Sequence, residues 1–111
     1  MIVTKWFGML VVIFVCGVTQ AAGTVDYLEV NNGVVVFATT EAKTVASPVC
    51  VLTEQATKWS ISLDTQSGRA SYSMLVTAMS MGIPIKVESA NDCAVLTGVE
   101  QAQRIWFDSQ A

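Results

Sequence analysis

The side chains that could do chemistry in this chain are carboxylates and serines, because the sequence contains no histidine. Without imidazole the chain lacks the usual general base, the Ser-His and Cys-His nucleophiles, and the commonest ligand of transition metals. The carboxylates are spread along the chain without a recognisable pairing: Asp26, Glu29, Asp64, Glu88 and Asp92. Three serines of a predicted helix have no base beside them: Ser67, Ser71 and Ser73. The sequence therefore predicts a protein that is not an enzyme and that uses no metal or cofactor.

Three residues are candidates for binding a ligand or partner: Arg69, Trp106 and Phe107. An arginine in the first turn of a helix opposes the helix dipole, which favours a specific partner such as a carboxylate or a sugar. The alternative is a structural ion pair with Asp64 or Glu88. Adjacent strand residues point to opposite faces, so at most one of Trp106 and Phe107 belongs in the core. The other is predicted to form an aromatic platform for a sugar or a subunit.

Cys50 and Cys93 are predicted to form a disulfide, since a small exported domain folds in an oxidising compartment. Such a bond would stabilise the domain by roughly 4 kcal/mol through loop closure. A metal pair would need further Cys or His ligands, and a redox dithiol normally shows C-x-x-C spacing. Neither alternative has support in the sequence.

Length and charge limit the remaining possibilities. The chain has 111 residues, of which 52% are apolar, so it holds at most one small domain. Six Lys and Arg against nine Asp and Glu give a net charge of −3. Because nucleic acids are bound through clustered basic residues, this balance argues against a nucleic-acid partner.

The first 21 residues have the pattern of a secretory signal peptide. Lys5 precedes an apolar run at residues 6–18, and Thr19-Gln20-Ala21 supplies small residues for cleavage after Ala21. The alternatives are a membrane anchor, for which the run is shorter than the roughly 20 residues needed, and a lipoprotein at Cys16. We expect cleavage, a single domain at residues 22–111, location in the periplasm or outside the cell, and no stable membrane insertion.

Strands are predicted around one helix. Asn31-Asn32-Gly33 favours a hairpin between strands at residues 25–30 and 34–39. Further β segments are expected at residues 58–63, 83–87 and 104–107, with a short extended piece at residues 49–52. In the strand at residues 58–63, odd positions such as Trp59 are apolar and even positions such as Ser60 are polar. One face is therefore expected in the core, and the other is expected to meet solvent or a partner.

The helix is predicted at residues 66–81. Asp64-Thr65 offers an N-cap, and Gly82 ends the helix with Pro84 just beyond. Its apolar stripe comprises Gly68, Tyr72, Leu75 and Met79. Gly68 is expected to let the helix approach a strand closely, while Val76 and Met81 lie off the main stripe.

The element order predicts a mostly β, α+β fold with one helix. The helix falls between the third and fourth major strands, which is the element order of a five-stranded OB-type barrel. A strongly curved antiparallel sheet or an open α+β sheet with one packed helix fits the same order.

The stretch W-S-I-S-L-D-T-Q-S-G-R-A-S-Y-S-M-L-V-T-A at residues 59–78, with Gly82, the strand at residues 83–87 and Cys93, carries a resemblance. It resembles a group of small exported gammaproteobacterial proteins of uncharacterised function. More distantly it is similar to the B subunits of subtilase cytotoxin and pertussis-like toxins. That resemblance covers roughly residues 47–107 and implies an OB-fold that assembles as a pentamer and binds sialylated glycans. No sugar-binding motif transfers residue by residue.

These observations predict an exported, non-enzymatic binding module. One form is a B-subunit-like homo-oligomer that binds a glycan or another surface receptor. The alternative is a monomeric or dimeric periplasmic domain that binds a protein partner in envelope maintenance.

Overall fold

The computed structural model describes residues 23–43 and 46–108. Within them it contains one α-helix, one 3-10 helix and five strands: β1 (Val25–Asn31), β2 (Val34–Thr39), the 3-10 helix (Thr53–Gln55), β3 (Trp59–Ser62), α1 (Gln66–Met81), β4 (Ile85–Ser89) and β5 (Glu100–Phe107). The predicted fold class, mostly β with one helix, is confirmed. The predicted signal peptide and its cleavage site lie outside the described residues. No helix in the described ranges is long and apolar enough to cross a membrane.

The five strands form one mixed sheet in the order β1-β2-β3-β5-β4. Neighbouring strands are antiparallel except for β3 and β5, which run parallel through Trp59↔Glu100 and Ser60↔Gln101. A fully antiparallel sheet does not form, because the helix and β4 return the chain so that β5 enters beside β3 in the same direction. The sheet is open, and among the described residues a bridge between Gly23, just before β1, and Ile85 of β4 connects its two edges.

The β1–β2 hairpin forms as predicted because its turn residues accept positive φ angles. Asn32 has φ 53° and Gly33 has φ 76°, the two left-handed positions of a type I′ turn. Asn31 then pairs directly with Val34, and the register continues to Leu28↔Phe37.

Helix α1 begins and ends at the predicted residues because both ends are capped. The Thr65 side chain accepts a hydrogen bond from the Gly68 N–H at 2.9 Å. Gly82 adopts φ 68°, and its N–H donates to the Ala78 carbonyl. The next residue, Ile83, also donates to that carbonyl, at 2.9 Å.

Gly68 allows the close helix–strand approach that the sequence predicts. A Cβ at this position would overlap the Ser62 carbonyl oxygen and lie 2.9 Å from the Ser62 carbonyl carbon. Since both atoms belong to the backbone of β3, neither can move without displacing the strand. The first turn of α1 is thus fixed against the end of β3.

The core lies between α1 and the sheet. Its buried residues come from α1 and all five strands: Val25, Val35, Phe37, Trp59, Ile61, Leu75, Ala78, Ile85, Ala102 and Ile105. Trp59 is buried as predicted, and Tyr72 packs against this cluster while partly exposed. Met79, which was expected on the buried stripe, is 41% exposed, because Ala78 occupies the core position instead.

Other sequence predictions also differ from the structure. The strand predicted at residues 83–87 lies at Ile85–Ser89. Residues 49–52 form a turn before the 3-10 helix rather than an extended segment. The last strand starts at Glu100, four residues before its predicted start at Arg104. Ser60, expected on a solvent or partner face, is fully buried. Its hydroxyl bonds to the carbonyls of Glu100 and Val99, because β5 covers this side of β3.

Cys50 and Cys93 form the predicted disulfide, with their Cα atoms 6.1 Å apart. It joins the turn after β2 to the connection between β4 and β5. The same two regions also meet through a backbone hydrogen bond from Leu52 N–H to the Gly98 carbonyl at 3.0 Å. The disulfide therefore fixes two long loops to one another.

Gly68→Ala is expected to lower the free energy of unfolding by about 2–4 kcal/mol, because the added methyl group meets strand backbone. Urea unfolding followed by circular dichroism measures this change. The matched control is Ser67→Ala at the neighbouring exposed helix position, with an expected effect within about 0.5 kcal/mol. Alanine has the higher helix propensity, so stabilisation by Gly68→Ala would show that the contact with Ser62 does not exist.

Candidate binding cleft

A cleft of about 410 Å³ opens beside β4 and β5. The segment that follows β2 and the first residue of β3 complete its walls. Six charged side chains and two tryptophans are among its lining residues: Glu41, Lys43, Lys86, Glu88, Glu100, Arg104, Trp59 and Trp106. Aromatic surface and charged hydrogen-bonding groups are therefore present in one concave site.

The floor of the cleft is a buried ion pair between Lys43 and Glu100. The Lys43 Nζ lies 2.9 Å from Glu100 Oε1, and the two side chains are only 12% and 5% exposed. The same ammonium donates to the Lys58 carbonyl at 2.8 Å and lies 4.2 Å from the centre of the Trp59 ring. Each charge therefore has the partners that burial requires.

Two serines hold Glu100 in position. The Ser89 hydroxyl donates to Glu100 Oε2 and accepts a hydrogen bond from the Asn91 N–H at 2.8 Å. The Ser60 hydroxyl donates to the Glu100 carbonyl at 3.2 Å. The side chain of Glu100 is thus fixed from β4, and its backbone is fixed from β3.

The rim of the cleft carries two exposed ion pairs. Lys86 Nζ lies 3.5 Å from Glu41 Oε1, and Arg104 Nε lies 3.0 Å from Glu88 Oε1. The side chain of Arg104 is 65% exposed and that of Glu88 is 50% exposed. Exposed pairs of this kind contribute little to stability, so they serve here as charged hydrogen-bonding groups at the rim.

Trp106 lies at the rim and is 38% exposed. It faces Lys86 in the β4–β5 register, and the Arg104 guanidinium lies 4.4 Å from the centre of its ring. Phe107 is equally exposed, at 39%, but it does not line the cleft. Both neighbouring aromatic residues therefore lie outside the core, and only one of them belongs to this site.

Arg69 lies away from the cleft lining, in the first turn of α1. Its Nη1 donates to the Leu63 carbonyl at 2.9 Å, six residues earlier in the chain. Glu88, one of its two expected partners, pairs with Arg104 instead. The salt bridges found within residues 23–43 and 46–108 do not include Arg69.

On β1, outside the cleft, the Tyr27 hydroxyl donates to Glu29 Oε1 at 2.6 Å. This hydrogen bond, with smaller contributions from desolvation and the Glu29 charge, raises the pKa of Tyr27 above its ordinary value of 10.0. In the part of the chain that the structure describes, no group of three or more His, Cys, Asp or Glu side chains could hold a metal ion.

Lys43 and Glu100 were missed as site residues because no local pattern marks them. They are 57 positions apart: Lys43 lies in the loop after β2, and Glu100 is the first residue of β5. Only the pairing of β5 beside β3 brings them together, and that pairing is not predictable from either segment alone. Trp106 was identified because an aromatic pair in a strand cannot bury both rings on one face.

Lys43→Met is expected to lower the free energy of unfolding by about 3–5 kcal/mol, since it leaves the Glu100 carboxylate buried without a cation. Adding Glu100→Leu removes the stranded charge and should recover a large part of that loss. Urea unfolding of the single and double variants measures both effects. Lys86→Met, in an exposed pair, is the control and should change stability by less than about 1 kcal/mol. Equal losses of stability for Lys43→Met and Lys86→Met would contradict a buried pair between Lys43 and Glu100.

Comparisons of the chain with protein-family models, curated proteins and solved structures find no match. The fold class and the geometry of the cleft therefore provide the evidence on function.

Proposed function

We propose that this protein is an exported, non-enzymatic binding module that takes a glycan in the cleft beside β4 and β5. The observation that carries this proposal is the partly exposed ring of Trp106 beside two ion pairs, in a concave site of about 410 Å³. A sugar presents both C–H faces and hydroxyl groups. An aromatic ring packs against the first, and charged side chains hydrogen-bond to the second.

The strand arrangement supports an OB-type fold for this module. The helix lies between β3 and β4 in the chain, and β1 approaches β4 through the bridge from Gly23 to Ile85. OB-folds are five-stranded, partly open barrels that bind oligosaccharides on the face of strands 2 and 3 and through the β1–β2 and β4–β5 loops, the last of which is used here. Here Ser89 and Glu100, which line the cleft, are the residues on either side of that loop.

Export is supported by the disulfide and by the sequence pattern of residues 1–21. A disulfide between Cys50 and Cys93 persists in the periplasm or outside the cell, where thiols are not kept reduced. The proposed mature protein therefore folds after export, in one of these two locations.

A non-enzymatic role is supported by the state of the cleft carboxylates. Glu41, Glu88 and Glu100 are each paired with a cation at 3.5 Å or less. General acid–base hydrolysis of a glycan needs two carboxyl groups free to act on the same bond. Binding requires no such freedom, since a paired carboxylate can still accept a hydrogen bond from a hydroxyl.

Trp106→Ala is expected to weaken glycan binding about tenfold or more, because the ring is the aromatic surface at the rim of the cleft. A glycan array that identifies a ligand, followed by calorimetric titration of that ligand, measures the change. Phe107→Ala is the matched control, since Phe107 has nearly the same exposure and lies outside the cleft lining. Equal losses for both variants, or no loss for Trp106→Ala, would contradict the assignment of the cleft.

Self-association is supported by three apolar side chains exposed on α1: Val76 at 39%, Met79 at 41% and Met81 at 69%. Methionine adapts well to an interface, and Val76 and Met79 lie one helical turn apart on the same side of α1. The second candidate function, a protein-interaction domain in envelope maintenance, would use the same helix surface for a different partner.

The native mass of the oxidised protein, measured by light scattering over a range of concentrations, separates these two candidates. We expect a homo-oligomer larger than a dimer. Val76→Glu together with Met79→Glu should dissociate it and leave the subunit folded, because both side chains are exposed. Gln66→Glu, also exposed but at the opposite end of α1, is the control. A monomer at every concentration would contradict self-association and favour the protein-interaction domain.

A further inference from the structure

We propose that Glu100 makes the cleft selective for neutral glycans over glycans that carry an acidic group. This inference rests on the proposed glycan-binding function and concerns which glycans the cleft accepts.

The donors of Lys43 are already used within the protein. An ammonium group has three protons and no acceptor. Two of these protons serve the Lys58 carbonyl and Glu100 Oε1, at 2.8 Å and 2.9 Å. The third faces the Trp59 ring, whose centre lies 4.2 Å from the Nζ. Lys43 therefore has no proton left for a ligand.

The hydroxyl of Ser89 has no free proton either. It donates to Glu100 Oε2, and one of its two acceptor positions takes the Asn91 N–H at 2.8 Å. Ser60 is fully buried, and its proton is directed to the carbonyls of Val99 and Glu100. Neither serine can donate to a ligand without losing a bond inside the protein.

Glu100 is the floor residue that still has free hydrogen-bond acceptor positions. An ionised carboxylate has about four acceptor positions, and the hydrogen bonds from Lys43 and Ser89 occupy one on each oxygen. The remaining lone pairs belong to a side chain that lines the cleft and is 5% exposed. The floor therefore offers acceptors, and it accepts a group that brings its own proton.

A sugar hydroxyl meets this requirement, because it donates a proton to Glu100 and carries no charge to be desolvated. An acidic sugar does not meet this requirement. Its carboxylate has acceptors but no proton, so it cannot donate a hydrogen bond to Glu100. The rim carries no net charge that would attract such a group, since Lys86 and Arg104 are each paired with a carboxylate, Glu41 and Glu88. Losing a hydrogen bond to a buried charged group corresponds to a factor of about ten or more in affinity.

The test is an array of matched pairs, in which each neutral oligosaccharide is also present with a terminal uronic acid. Titration of the best pair then gives an affinity ratio for the wild-type protein. We expect the neutral member to bind at least about tenfold more tightly. Preference for the acidic member would overturn the selectivity proposed here and leave glycan binding intact. Absence of binding to every glycan would overturn both proposals.

Glu100→Gln tests the role of the carboxylate itself, because it leaves the Lys43 cation without a counter-charge at the floor. The ratio of the affinity for the neutral glycan to the affinity for the acidic glycan should then fall by about tenfold or more. Simple loss of structure would not produce this change in the ratio. Glu29→Gln removes an exposed acid outside the cleft and should leave the ratio unchanged. An unchanged ratio in folded Glu100→Gln would overturn the role of Glu100. The wild-type ratio needs no variant, so the selectivity stays testable if Glu100→Gln does not fold.

Discussion

A carboxylate held almost entirely out of water must keep its cation, and this requirement governs how the sheet is assembled around Glu100. Lys43 meets it from the segment after β2, and Ser89 adds a hydrogen bond from the end of β4. The Ser60 hydroxyl on β3 donates a hydrogen bond to the backbone carbonyl of Glu100. One buried side chain thus connects four parts of the chain that are distant in sequence. An apolar pair would fill this space at lower electrostatic cost, so the charge points to a role beyond stability.

The elements predicted from sequence are those whose causes are local. Helix α1 has a capping threonine at one end and a left-handed glycine at the other, and each cause lies within a few residues of its effect. Strand β5 shows the opposite case. Its first four residues, Glu-Gln-Ala-Gln, lack the β-branched and aromatic residues that indicate a strand, and parallel pairing with β3 creates their environment. Ser60 became a core residue for the same reason.

The candidate site likewise combines a residue that the sequence indicates with residues that it does not. Trp106 could be identified because two adjacent aromatic residues in a strand point to opposite faces of the sheet, so that at most one belongs in the core. Lys43 and Glu100 each look like an ordinary surface residue in the sequence. The resemblance to toxin B subunits implies sialylated, and so acidic, ligands. The distribution of donors and acceptors at the floor favours neutral ones, so the cleft of this chain leads to a different expectation about ligand charge.

The most direct test of this account is a two-dimensional nuclear magnetic resonance titration of the protein with a neutral oligosaccharide, observing the tryptophan indole N–H and the backbone amide signals. The chain contains three tryptophans, of which Trp59 and Trp106 line the cleft and Trp6 lies in the predicted signal peptide. We predict that the Trp106 and Trp59 signals shift together and saturate at one affinity. Saturable shifts confined to α1 or Phe107, with both indole signals unmoved, would place the binding site elsewhere and contradict the account.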